Sequence, residues 1–471
     1  MQKFSTFIFE SFSFNQKTLK ASFFYTLKGH QGNFNNWSEV FEEIIDFKSN
    51  TFDITENKLN NKIILNNFLF NLHIALWISY YKLFPTKILE VKSGYLDQEQ
   101  ILFWEKFYRN WLGEFFITNN LDFSELINFK NIWKVPDLEN IWIINNYISV
   151  ETRQCLVSTE EKPEKNLLLW WGWKDSIVSY SILNKENKKS DLFVFWKIDD
   201  IKKNTAQIAE KEILLVKRQL SNNLFKLNEQ WYYNWHVPIT WIIAFVTFVV
   251  SYLYWYKNII LSNEKSASEE NTTWKDLKIN HQYSKSLEFE EDLNNYLHNY
   301  ISNNINYYSL LRGMYEYKIA EIFSNKWKKF FNSFSSCNRN FKINKSGYPQ
   351  GVPLQKNKLW CCECEKCCFV FLILSSHLEE KELINIFGEN LFEKISLEKA
   401  FRELIWLENY KPFECVWTYE ESLLSAKKVI INHQQRALAF WIVLKNIKTE
   451  ILNKCNSTVE QNLEKKLNKI Y

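Results

Sequence analysis

The sequence predicts an α/β fold. A mostly parallel sheet spans residues 166–330, after an α+β region over residues 1–157 and before a helical, cysteine-rich region over residues 331–471. Three observations predict it. Short β-rich apolar runs at 192–195, 213–216 and 259–261 alternate with helical patterns, the signature of strands covered by helices on both faces. The run Leu167-Leu168-Leu169 ends in a tight turn, after which Lys174, Asp175 and Ser176 open a helical pattern. Five cysteines crowd between Cys361 and Cys368.

In chain order, residues 4–28 alternate apolar and polar in short runs and read as a β-hairpin or small antiparallel sheet. Helical periodicity covers 66–82 and 97–116. The polar stretch 158–165, with Pro163, reads as a linker. Ligands of open parallel sheets sit at the carboxyl ends of strands. There the sequence places both the Trp171–Ser176 turn and Ser262-Asn263-Glu264-Lys265-Ser266-Ala267. From 236 to 256 His236 is the only titrating cation and no acid occurs. That run is long enough to span a bilayer, but its place between two strands of one sheet predicts a core helix. Helical periodicity is predicted over 307–330, with Arg312 and Glu316 four apart on one face. Helices follow over 379–387, 397–408 and 420–451, an irregular segment with Cys415 lies between them, and the last residues fray.

The turn after Leu169 has the layout of a strand delivering a phosphate-binding loop onto a helix N-terminus, where unpaired N–H groups and the helix dipole favour an anion. A phosphate reaches backbone amides only where no side chain intervenes, yet Trp171 and Trp173 flank Gly172. Composition bears on this. The chain has nine glycines and 20 tryptophans in 471 residues, whereas ordinary glycine usage of roughly 7% would give about 33 glycines. The two counts taken together come close to that figure. Either the loop is inactive, or the gene uses UGA for glycine and the tryptophans stand in its place.

Cys361-x2-Cys364-x2-Cys367, with Cys337 upstream, offers four thiolates for a structural zinc site. An iron–sulfur cluster is the alternative, and Cys362 and Cys368 are further sulfurs in the same stretch. This usage fits a reducing compartment better than a disulfide framework. Net charge is +4 with acids and bases interspersed, so no basic stripe points to nucleic acid. No charged segment followed by an apolar core opens the chain. A cytoplasmic protein without membrane insertion is expected.

The tail Lys174-Asp175-Ser176 resembles the pyrophosphate loop of ATP-pyrophosphatase (PP-loop, adenine nucleotide α-hydrolase-like) enzymes, which has glycine where Trp171 and Trp173 stand. Longer phrases extend the likeness: Asn234-Trp235-His236-Val237-Pro238, Ser262 to Ala267, Asn280-His281-Gln282-Tyr283-Ser284-Lys285-Ser286, Leu310-Leu311-Arg312, the cysteine cluster and Phe413-Glu414-Cys415-Val416-Trp417-Thr418. Together they resemble the MurL family of ATP-dependent UDP-N-acetyl-α-D-muramoyl-L-alanyl-L-glutamate epimerases. That family's pattern has glycine at the positions of Trp77, Trp111, Trp173, Trp235, Trp255, Trp406 and Trp417, so the departures share one direction.

The resemblance implies ATP-dependent inversion of the terminal L-glutamate of UDP-MurNAc-L-Ala-L-Glu in peptidoglycan precursor synthesis, with Mg²⁺ and through an acyl-adenylate. It implies that Trp171, Gly172, Trp173, Lys174 and Ser176 hold the ATP phosphates, and that Asp175 positions Mg²⁺ or the loop. Asn263 and Glu264 face the same nucleotide. Lys285 and Arg312 would neutralise phosphates or substrate carboxylates, and His236, His281 and Cys415 are the candidates for proton exchange. Two other readings remain open. One is a different PP-loop adenylating enzyme, 7-cyano-7-deazaguanine synthase-like or tRNA-modifying. The other is a catalytically dead, zinc-stapled protein, if the loop tryptophans are genuine.

Overall fold

The computed structural model describes residues 4–31, 35–55, 57–122, 126–131, 159, 163–230, 233, 239–269, 272–274, 277–280, 282–341, 358–408, 418–433 and 442–469. Its strands are β1 (Phe4–Asn15), β2 (Lys20–Gln31), β3 (Asn35–Asp46), β4 (Ile88–Val91), β5 (Asn128–Asn131), β6 (Asn166–Leu169), β7 (Ser190–Phe195), β8 (Ile213–Gln219), β9 (Asn258–Leu261), β10 (Thr272–Trp274), β11 (Leu277–Ile279) and β12 (Asn306–Ser309). Ten of them form one sheet in the order β12-β9-β6-β7-β8-β3-β2-β1-β4-β5, and β10 and β11 pair separately.

The half from β12 to β8 is parallel throughout. Chain order runs outward from β6 in both directions: β7 and β8 on one side, β9 and β12 on the other. The strand order therefore reverses between β6 and β9, and ligands of such sheets bind outside the carboxyl ends at that reversal. Strand residues alternate between two cores. Leu167, Leu169, Phe193, Phe195, Ile259 and Leu261 face one; Leu168, Leu192, Val194 and Ile260 face the other. Burial of both faces explains why these strands read as unbroken apolar runs. At their amino ends an amide ladder fixes the register: Asn306 Nδ2 donates to Asn258 Oδ1 at 2.8 Å, and Asn258 Nδ2 to Asn166 Oδ1 at 3.0 Å.

The predicted N-terminal hairpin or small antiparallel sheet is a three-stranded antiparallel meander of 12-residue strands. It joins the parallel half through a short antiparallel pairing of Ile44, Ile45 and Asp46 with Gln219, Arg218 and Lys217. A buried ion pair lies at this seam, Arg218 Nε to Glu43 Oε1 at 2.6 Å, and Arg218 Nη2 also donates to Ser79 Oγ at 2.8 Å.

The helix Ile239–Leu253 is buried along nearly its whole length and packs on the helix Lys62–Leu76. It is a core helix, as its place between β8 and β9 predicts. Among the described residues one helical run, Lys62–Tyr81, is long and apolar enough to cross a membrane, and 83% of its apolar window is buried inside the fold. Within it His73 shares a hydrogen bond with Ser93 Oγ at 3.0 Å and contacts the Phe24 carbonyl at 3.2 Å. Burial lowers its pKa to about 3, while the unfolded chain protonates near pH 6.5. Stability is therefore full above about pH 6.5 and falls as pH drops towards 3, by roughly 1.4 kcal/mol per pH unit. His73→Gln is expected to flatten this limb in denaturant titrations between about pH 7 and pH 5, leaving the share of His377, whose pKa burial lowers to about 4.

Two expectations are corrected. Residues 307–330 are not one helix: β12 occupies Asn306–Ser309 beside β9, and the helix starts at Glu316. A short apolar run fits strand and helix alike. The described C-terminal residues do not fray. They form the helix Ser457–Leu467, held by buried Leu463 and Leu467 and by pairs from Lys427 to Glu460 and Lys466 to Glu420.

Nine of the described non-glycine residues have positive φ, and three are tryptophans: Trp196 at +82°, Trp255 at +61° and Trp406 at +61°. A bulky residue in this region is an outlier. Trp255 and Trp406 each stand just past a helix end, where the next amide bonds back across the turn (Tyr256 N to Ser251 O, 3.1 Å; Leu407 N to Arg402 O, 2.8 Å). This is the position glycine ordinarily fills, as Gly388 does at +83° after Glu380–Phe387. Trp77 and Trp111 differ: the Trp77 backbone is right-handed, and its indole packs on Phe7 and Tyr108. Trp406→Gly is expected to be more stable than Trp406→Ala by about 1 kcal/mol, because alanine keeps the clashing Cβ; thermal denaturation reads the difference.

Candidate functional site

The turn after β6 lies at the reversal of strand order. Trp170 continues the strand, its amide bonded to the Phe193 carbonyl at 2.9 Å, and its buried indole N–H is shared by Thr205 Oγ1 at 3.1 Å and the Lys202 carbonyl at 3.3 Å. Gly172 takes φ +71°, and a Cβ there would meet Ile201 Cγ2 at 2.7 Å and Thr205 Oγ1 at 2.9 Å. Only glycine fits this turn. Trp173 is the extended residue before the helix Lys174–Lys185, and Ser176 Oγ donates to its carbonyl at 2.9 Å.

Lys174, Asp175 and Ser176 are buried in the first helical turn. The Lys174 ammonium pairs with Asp175 at 2.8 Å and with Glu316. Burial works against its charge, but the two carboxylates outweigh that and hold its pKa above the usual value. Glu316 is pushed up chiefly by burial and then by Asp175, with Lys174 opposing. At the end of β9, Asn263 is half-buried and Glu264 buried. Burial and Asp175 raise Glu264, while Lys285 and Lys366 lower it. Ser179 and Ser262 hydroxyls, 2.8 Å apart, tie the helix to that strand end.

Arg312 does not share a helical face with Glu316. It lies in the turn after β12, where its guanidinium donates to the carbonyls of Glu264 (2.9 Å) and Lys285 (2.8 Å) and to Glu290 Oε2 (2.9 Å). It thus fixes the two segments that carry Glu264 and Lys285, while Glu316 turns to Lys174. Lys285 reaches Gln282 Oε1 at 3.2 Å. His236, His281 and Cys415 lie outside the described residues.

Three lysines converge on the loop indoles, whose rings lie 5.9 Å apart. Lys202 Nζ is 5.6 Å from the Trp171 ring centre; Lys285 and Lys366 are 5.6 and 5.9 Å from that of Trp173. A small, partly open cleft beside the loop is lined by Trp170, Trp171, Phe195, Lys202 and Ile243 among others. Lys202, Lys366 and Glu316 were not legible as site residues. Lys366 is hidden inside the cysteine motif, and Lys202 reads as an ordinary residue of a surface helix.

The four sulfurs of Cys337, Cys361, Cys364 and Cys367 lie within 4.8 Å of one another, with Cys367 3.6 Å from Cys361 and 3.5 Å from Cys364. Four thiolates at about 2.3 Å from one zinc ion stand roughly 3.8 Å apart, so the set fits such an ion with little movement. The two extra cysteines are separated from it: Cys362 donates to the Phe387 carbonyl at 3.3 Å, and Cys368 is buried in the helix Glu365–Ser375. Arg339, paired with Glu363, lies where it offsets thiolate charge at Cys361 and Cys364. Among the described residues no comparable carboxylate group closes on one point.

The family model for the MurL N-terminal domain matches residues 1–310. The chain belongs to the MurL family. The model for the MurL C-terminal domain matches residues 333–462, so the loop lies in the first matched part and all four clustered cysteines in the second. Three similar proteins carry the name UDP-N-acetyl-alpha-D-muramoyl-L-alanyl-L-glutamate epimerase. The one from Xanthomonas oryzae pv. oryzae is 29% identical over 352 residues, 74% of this chain and 72% of its own. Those from a Micromonospora species and Salinispora tropica are 27% and 28% identical, covering 93% and 90% of this chain and 89% and 85% of their own. MurL membership and these names support an epimerase role in making peptidoglycan precursors.

Proposed function

We propose that this MurL chain, with glycine in place of its loop tryptophans, inverts the terminal L-glutamate of UDP-MurNAc-L-Ala-L-Glu at the expense of ATP. One observation carries the reading: a Gly172-turned loop opening on buried Lys174, Asp175 and Ser176 at the reversal of strand order, in a member of this family. The loop amides, Lys174 and Ser176 hold the triphosphate. Asp175 and Glu264 would be the carboxylates to hold Mg²⁺, which would lower the charge on the phosphates.

The glutamate α-carboxylate attacks the α-phosphorus, pyrophosphate leaves, and an acyl-adenylate forms. A carboxylate resists loss of its α-proton because a dianion results; the mixed anhydride removes that charge and acidifies Cα–H. A base takes the proton from one face and an acid returns one to the other, with His236, His281 and Cys415 as candidates. Water then cleaves the anhydride, releasing the D-glutamyl product and AMP. Lys285 faces the anionic groups, and Arg312 positions its segment. The four-cysteine centre holds structural zinc, and the substrate is the UDP-muramoyl dipeptide in the cytoplasm, without nucleic acid or membrane insertion.

The test gives glycine-restored protein MgATP with UDP-MurNAc-L-Ala-L-Glu and, in parallel, with nucleobase substrates of other PP-loop enzymes. AMP release with the dipeptide alone is expected. Release with a nucleobase substrate instead overturns the reading.

A further inference from the structure

The cysteine centre and the phosphate loop are wired together. The Ser335 amide donates to the Gly172 carbonyl at 3.3 Å. The Ser335 hydroxyl donates to the Leu359 carbonyl at 2.6 Å and accepts the Cys337 amide at 3.2 Å. One buried serine thus grips the loop and both chain segments that carry the cysteines. From the same centre Lys366, buried between Cys364 and Cys367, projects to within 5.9 Å of the Trp173 ring. Its charge is felt by Glu264 and Glu316 at the loop. Lys285 approaches that ring from another segment, so the indole occupies a space bounded by two ammonium groups. With glycine at 173 that space adjoins the loop amides, and what two cations and an amide turn accept is an anion.

We propose that Lys366 is a phosphate-binding residue of the nucleotide site, presented to the loop by the metal-bound cysteine centre. The proposal rests on the ATP reading above but concerns a residue that reading does not use. It gives the C-terminal region a part in nucleotide binding: the metal fixes the start of the helix Glu365–Ser375, and that helix start fixes the ammonium.

The experiment uses the full-length, metal-loaded chain carrying Trp171→Gly and Trp173→Gly, with MgATP and inorganic pyrophosphate as calorimetric probes. Lys366→Met, which keeps the length of the stem, is expected to weaken both by about ten- to a hundredfold, with metal content and melting temperature unchanged. Lys366→Arg, which keeps the charge, is expected to retain most of the affinity and serves also if the methionine variant folds poorly. Unchanged affinity in Lys366→Met overturns the proposal alone. Loss of metal together with affinity in both variants also overturns it, by making Lys366 a support of the cysteine centre. A parent that binds neither probe removes the ATP reading and this proposal with it.

Discussion

Replacing Trp171 and Trp173 together by glycine is expected to turn a chain that does not bind MgATP into one that does. The indoles stand among Lys202, Lys285 and Lys366 at the carboxyl ends of β6 and β9, and a phosphate cannot reach the loop amides past them. Trp173 has an ordinary extended backbone, φ −88°, so the gain there comes from space and not from relief of backbone strain. Gly172 already provides the left-handed residue. Calorimetry on both proteins checks this; a double variant that stays silent while folded leaves the loop without its assigned role. At the level of the gene, the same reading expects UGA codons at 77, 111, 171, 173, 235, 255, 406 and 417.

Replacing Cys364 or Cys367 by serine is expected to strip the metal and destabilise the chain by several kcal/mol, because a structural thiolate centre supplies folding energy directly. Both sulfurs are buried and lie close to the other two cysteines of the cluster. Replacing Cys368, equally buried but outside the cluster, should leave metal content unchanged. Metal analysis and melting curves of the three variants separate the cases; wild-type protein without zinc or iron would remove the centre.

The parallel half of the sheet was legible because strands buried on both faces leave uninterrupted apolar runs, as at Leu167-Leu168-Leu169. The loop was legible from its strand-turn-helix order, and the four-cysteine cluster from cysteine spacing. Continuity of the sheet was not legible: three residue pairs between β3 and β8 make the join, and nothing in the local pattern of Ile44 or Arg218 announces a partner some 170 positions away. The placement of Arg312 on a helical face was misread because a period of four fits a helix as well as a strand followed by a turn. The left-handed tryptophans are a backbone property. Composition hinted at displaced glycines, but only the φ angles at Trp196, Trp255 and Trp406 single out where a side chain is strained.

The central claim concerns the carbon that loses its proton. The chain carrying glycine at 77, 111, 171, 173, 235, 255, 406 and 417 is incubated with MgATP and UDP-MurNAc-L-Ala-L-Glu in deuterium oxide, and the glutamate is recovered after hydrolysis. The account predicts D-glutamate carrying one deuterium at Cα, with AMP released alongside. AMP release with glutamate that stays L and free of deuterium would leave adenylation in place and contradict epimerisation.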